Sequence, residues 1–250
     1  MFVDTFGLEF WSLTLCLFGI SIGGFLRGFL GFGAALVIVP ILSIPLPPVV
    51  AIAVLVIIEI PNVVYLVRSS IHEANLKTVQ PMLFGLIIAV PVGTAVLVQV
   101  DPEKMRLVIS VILLLTVGLL ASGWRIKGKL GGGILFASGA VGGLIQGSAG
   151  MGGPPLVTTL MSMLTPANVT RANIIAVLSA LSLVNLMTLI IYGKINLNTL
   201  IFGAAGAPLY VFWNWLGARF FREKGNERFR QVALTALAAI ALATIYTILV

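Results

Sequence analysis

The chain has 250 residues, of which 59% are hydrophobic and only 9% charged, and its mean hydropathy is +1.13. Soluble domains carry about 25% charged residues, so a water-soluble fold is excluded and an integral membrane protein is indicated. The net charge of +7 points to no nucleic acid, because most of the basic residues sit in short loops beside apolar runs, where they encode topology.

The N-terminus carries Asp4 and Glu9 without a basic region, which argues against a cleaved signal peptide. Cys16 is the one cysteine and lies in an apolar run, so neither a disulfide framework nor a thiolate metal site is expected. No metal and no cofactor is expected elsewhere. Uncharged stretches cover 28–58, 78–100, 130–170, 172–193, 195–218 and 231–250. Each reaches the length of about 20 residues that a spanning helix needs.

The first of these runs is too long for one span and is broken by Gly28-Phe29-Leu30-Gly31-Phe32-Gly33. It reads as part of a helical hairpin over 8–46, with a long arm, a glycine apex and a shorter returning arm. Spans follow at 48–68, 78–100 and 104–124. A second hairpin, 131–165, is broken by Gly147-Ser148-Ala149-Gly150-Met151-Gly152-Gly153-Pro154-Pro155. Spans at 167–191, 196–218 and 228–249 complete the chain. At one constant offset Gly23-Gly24 falls on Gly142-Gly143, Gly28 on Gly147, Gly31 on Gly150, Gly33 on Gly152 and Pro47 on Pro166. At a slightly longer offset Gly93 meets Gly217, Glu103 meets Glu227 and Arg106 meets Arg230. An ordered series through both halves indicates an internal duplication, 1–125 and 126–250, forming one transport domain.

Loop charges set the orientation. Arg125, Lys127 and Lys129 mark one cytoplasmic loop, and Arg219, Arg222, Lys224, Arg228 and Arg230 mark another. Both lie inside only if 131–165 crosses the membrane an even number of times, as a hairpin does. Arg68, Lys77 and Arg171 then lie inside as well, Lys104, Arg106 and Lys194 outside, and both termini outside in the cell inner (plasma) membrane. Each half makes an odd number of net crossings. The expected fold is therefore all-α: a polytopic membrane protein of two inverted repeats, each a glycine-broken helical hairpin plus three transmembrane helices.

Inverted repeats with interrupted helices are a secondary-transporter architecture, with substrate held near the midplane. Broken backbone within hydrocarbon is tolerated where it is buried in protein or lines a cavity. The returning arm after each apex begins a helix, whose first N–H groups lack partners and whose N-terminus is partly positive. Pro154 suits the first helical position. The glycines expose backbone donors to an approaching anion. The alternative is that they serve close helix packing, which is the reading preferred for Gly19, Gly118 and Gly139.

The segments GFLGFGAALVIVPIL (28–42) and GSAGMGGPPLVTTL (147–160) resemble the paired signature of the TauE/SafE family of sulfite exporters, as do the Arg171-Ala172-Asn173 turn and the span around Glu59. The resemblance covers essentially the whole chain. It implies export of sulfite, related sulfur oxyanions or organosulfonates, a small anionic substrate moving among membrane lipids, with homodimerisation left open. In this chain Gly33-Ala34-Ala35 replaces the fuller glycine cluster of many relatives, so fewer backbone contacts are expected from the first apex than from the second.

The candidate substrate-binding residues are Arg27, Gly31, Gly33, Gln146, Ser148, Gly150, Met151, Gly152, Gly153 and Asn173, with Glu59 and Arg171 as candidates for coupling or gating. Gln146 and Ser148 either donate to an oxyanion or satisfy broken backbone. A charge at membrane depth costs at least about 2.5–3.5 kcal/mol, so Arg27 needs a partner or water. A buried Arg27–Glu59 pair competes with anion attraction by Arg27 and proton handling by Glu59. Arg171 either gathers anions at the cytoplasmic mouth or anchors topology. Asn62 and Asn173 line a pathway or bond helix to helix, and Asn185 reads as packing. Trp213 and Trp215 read as interfacial anchors. Alternating access, one repeat rocking against the other, is the expected mechanism. An importer or channel for small anions is the alternative, followed by a non-transporting structural subunit. Membrane enzyme chemistry would want a cluster of His, Asp, Cys or Glu, which the sequence lacks.

Overall fold

The structure, a computed structural model, describes residues 9–224 apart from 31, 123–125, 127–129 and 164. Gly31, the basic loop residues Arg125, Lys127 and Lys129, the span 228–249 and both termini lie outside the described residues. The described chain is all-α. Its helices are α1 (Phe10–Leu30), α2 (Ala34–Leu42), α3 (Pro48–Ser70), α4 (Leu76–Gln99), α5 (Pro102–Ser122), α6 (Gly132–Ala149), α7 (Gly153–Met161), α8 (Ala167–Ile191) and α9 (Leu197–Lys224), with a 3₁₀ turn at Ile71–Glu73. Six of them, α1, α3, α4, α5, α8 and α9, are long and apolar enough to cross a membrane.

Local chemistry fixes many of the boundaries. Pro48 and Pro102 open helices at a position where the missing N–H is harmless. Asp101 accepts from the Glu103 amide at 2.9 Å, and Asn75 from the Lys77 amide at 3.1 Å, capping α5 and α4. Each hairpin turns on a left-handed glycine: Gly33 (φ 97°) before α2 and Gly150 (φ 71°) after α6. A side chain at either position would be strained. The short arm α2 packs on its own long arm α1, and α7 on α6.

The long arms make the tightest contacts, and they make them reciprocally. Arm α1 packs along α9, and arm α6 along α4. A methyl group on Gly28 would collide with the Asn214 carbonyl, and one on Gly217 with that of Phe25. In the other seam Gly139 meets the Met82 carbonyl, Gly147 that of Val90, Gly85 that of Phe136 and Gly93 that of Leu144. Small residues are what allow helix backbones to approach this closely in a membrane. In both seams the contacting residue numbers rise together, so the paired helices run parallel. Gly139 is thus a packing residue. Gly28 and Gly147, read from sequence as parts of the apices, are seam residues too.

The apolar core is divided in two. One cluster is built from α1, α2, α3, α5 and α9, with Leu97 of α4, Leu189 of α8 and the apex residues Ala149 and Met151. The other is built from α4, α6, α7 and α8. The division does not follow the two sequence halves: α9 lies with the first hairpin and α4 with the second.

Candidate functional site

The two apices reach into each other's cores. Ala149 and Met151 of the second apex are fully buried in the first cluster, while Phe32 of the first apex packs against both clusters. A Cβ on Gly150 would stand 3.1 Å from Val39 of α2 and 3.2 Å from Ile52 of α3. The second apex is thus buried against α2 and α3 of the first cluster, and Phe32 of the first apex lies where the two clusters adjoin.

The donors at the two apices differ. In the second, the Gly150 amide donates to the Gln146 carbonyl at 2.8 Å, and the Gly152 amide donates to the Gln146 side-chain oxygen at 3.0 Å. Ser148 turns its hydroxyl back to the Leu144 carbonyl at 2.7 Å. Pro154 and Pro155 remove two further amides from the first turn of α7, leaving those of Gly153 and Leu156. Gln146 and Ser148 thus satisfy broken backbone in this conformation. At the first apex Gly33 accepts from the Leu36 amide at 3.1 Å, and no proline interrupts the amides of Ala34, Ala35, Leu36 and Val37. Among the described residues, prolines subtract donors from the first turn of α7 and not from that of α2.

Arg27 lies in the last turn of α1, half-buried. Glu59, at mid-length in α3, is 7% exposed. Its carboxylate accepts from Ser182 Oγ of α8 at 3.0 Å and from Tyr210 Oη at 3.4 Å. The direct Arg27–Glu59 pair, one of the alternatives read from sequence, is not formed among the described residues; the hydroxyls of Ser182 and Tyr210 serve Glu59 instead. Pro61 lies two residues on and deprives the Ile57 carbonyl of its helical donor, which adds polarity at this depth. Neither Ser182 nor Tyr210 is marked by sequence, because they lie 123 and 151 residues from Glu59.

The remaining candidates lie away from the apices. Asn173 is buried near the start of α8, and its Oδ1 accepts from the Asn75 amide at 2.7 Å, tying α8 to the turn before α4. Beside it Asn168 donates to Glu73 at 3.1 Å. Arg171 is exposed at this same end. Asn185 is fully buried, and neither of its amide atoms is hydrogen-bonded among the described residues. Trp215 is exposed and carries Arg219 over its ring at 5.8 Å, while Trp213 meets Phe25 edge-on. A cleft of about 430 Å³ opens between α5 and the second hairpin; Ile112, Leu115, Val141 and Pro155 line it. Its polar edge, Ser138 with Thr158 and Thr159, is already hydrogen-bonded.

Comparison with known proteins agrees with this architecture. The family described as "Sulfite exporter TauE/SafE" matches residues 15–244. The chain is 24% identical over 230 residues to a protein of Cupriavidus necator named "Probable sulfite/organosulfonate exporter TauE", covering 88% of this chain and 89% of that one. No solved structure matches the chain. With six apolar helices of spanning length and a family match over most of its residues, this multi-pass membrane protein belongs to the TauE/SafE sulfite exporter family.

Proposed function

We propose that this chain exports sulfite, a related sulfur oxyanion or a small organosulfonate across the cell's plasma membrane, by alternating access at a midplane site between the two glycine apices. The observation that carries this reading is the interpenetration of the apices: Met151 is buried in the first core and Phe32 packs on the second. Broken helices brought together inside a membrane protein are where transporters hold substrate. The first turn of α2 supplies backbone N–H groups at the partly positive end of a helix, and Arg27 adds a full positive charge one turn before the apex. The reciprocal seams, α1 on α9 and α6 on α4, support a pair of repeats related by exchange of the halves. Together the two hairpins can surround a small anion without a dedicated cage of cations.

Voltage suffices as the driving force. Moving one negative charge out of a negative interior gains about 2.3 kcal/mol per 100 mV. Loaded proteoliposomes test the reading: sulfite efflux should rise with an inside-negative potential and fall when the potential is reversed. Efflux indifferent to the protein, or carried equally well for anions and cations, would remove it.

A further inference from the structure

A protein that alternates its access must contain parts that move and a surface along which they separate. Sequence symmetry suggests the two halves as the moving parts, but the packing suggests otherwise. Separating the halves would pull α1 from α9 and α6 from α4, the two seams in which glycines bring backbone against backbone. Such seams are rigid, because close-packed surfaces have few intermediate arrangements. The surface between the two apolar clusters is different. It runs in part between α5 and the second hairpin, at the cleft, and in part between α3 and α8, neither of which contains a glycine, so side chains hold these two helices apart.

That surface also carries polar groups. The Ser182–Glu59 hydrogen bond crosses it from α8 to α3. Asn185 lies one turn from Ser182 on the same helical face, fully buried with both amide atoms unpartnered among the described residues. A buried amide without partners costs about 1–3 kcal/mol per unmatched group. Such a cost is tolerable on a surface that admits water in another state of the cycle. Phe32 of the first apex lies on this boundary as well.

Building on the alternating-access reading, we propose that the moving bodies are two helix-exchanged bundles, and that Ser182 and Glu59 form the contact across which they part. One bundle is α1, α2, α3, α5 and α9; the other is α4, α6, α7 and α8. Each hairpin travels with the second span of the opposite half. The chain passes from one bundle to the other at 71–75, between α3 and α4, at 100–101, between α4 and α5, again between α5 and α6, and at 192–196, between α8 and α9; these crossings act as hinges. Gly193, at φ 63°, lies in the last of them. Ser182 and Asn185 are residues of the parting surface rather than of the anion site.

Spin-label distances in the full chain, with Cys16→Ser as background, distinguish the two divisions. Labels replace Phe18 of α1, Phe212 of α9 and Ile88 of α4, all of which are exposed. Phe18–Phe212 joins different halves of one bundle, while Phe18–Ile88 joins one half across two bundles. Distances are recorded with and without saturating sulfite, and in Ser182→Ala without any anion. The proposal expects Phe18–Phe212 to stay fixed and Phe18–Ile88 to shift by more than about 2 Å, the scale of a true rearrangement. The reverse pattern, or no movement of either pair in both arms, overturns it. Thermal stabilisation by sulfite in the same samples reports separately on the transport reading; if it is absent, the Ser182→Ala arm still decides between the divisions.

Discussion

The two hairpins share a glycine signature and use it differently. In the second, Gln146 folds its side chain onto the Gly152 amide, Ser148 bonds back to its own helix, and two prolines subtract donors. In the first, no proline interrupts the opening turn of α2, where the Leu36 amide bonds back to Gly33, and Arg27 stands one turn away. Among the described residues the second apex bonds two of its amides to Gln146, and the first bonds the Leu36 amide to Gly33. A glycine-rich break therefore does not by itself make an anion site. What matters is which donors remain after the protein has bonded to itself, and on the proposed reading the first hairpin carries affinity and the second integrity.

The most damaging changes should be those in the seams beneath both apices. Gly28→Ala and Gly147→Ala each press a methyl group into a carbonyl of the neighbouring helix, and overpacking of this kind costs about 1–3 kcal/mol. Thermal unfolding of the purified proteins should show both losses, while Gly118→Ala, which meets nothing within 4 Å among the described residues, should leave Tm unchanged. Equal tolerance at all three would dissolve the seams.

Arg27→Gln sharpens the contrast next. Loss of a charge-assisted contact to an anion is worth about 1.5–3 kcal/mol, so sulfite flux should fall by at least about tenfold. Stability should hold or improve, because a charge at membrane depth is itself costly. Gln146→Ala should behave the opposite way. It strands the buried Gly152 amide at about 1–3 kcal/mol, lowering Tm while reducing the flux of folded protein less than Arg27→Gln does. The smallest effect belongs to Tyr210→Phe, which removes a 3.4 Å bond to Glu59; at that length its stability cost should lie at the low end of about 0.5–1.5 kcal/mol. A loss larger than that of Gln146→Ala would make the Glu59 cluster, and not the second apex, the structural keystone.

The fold class could be read from the sequence because hydrocarbon imposes length and apolarity on each segment, and glycine clusters interrupt that pattern only where a helix must turn. Gly139 was identifiable as a packing residue for the same reason. Gly28 and Gly147 were not, since a glycine beside an apex and one in a seam look alike until the partner helix is known. The spacing of Gly139, Gly143 and Gly147, one every fourth residue, was the available signal of a helix-packing face. The partners of Glu59 were beyond reach, because Ser182 and Tyr210 come from other helices with no local pattern. Counting glycines also leaves out that Gln146 consumes one donor and that Pro154 and Pro155 have none to give.

Sulfite affinity measured by calorimetry on purified Arg27→Gln and Gln146→Ala proteins, beside the unaltered chain, addresses the anion site most directly. Binding in Arg27→Gln should weaken by at least about tenfold, some 1.4 kcal/mol, with Gln146→Ala much closer to the unaltered protein. If Arg27→Gln binds sulfite as the parent does, or if Gln146→Ala alone loses it, the anion does not sit where the first hairpin offers its donors.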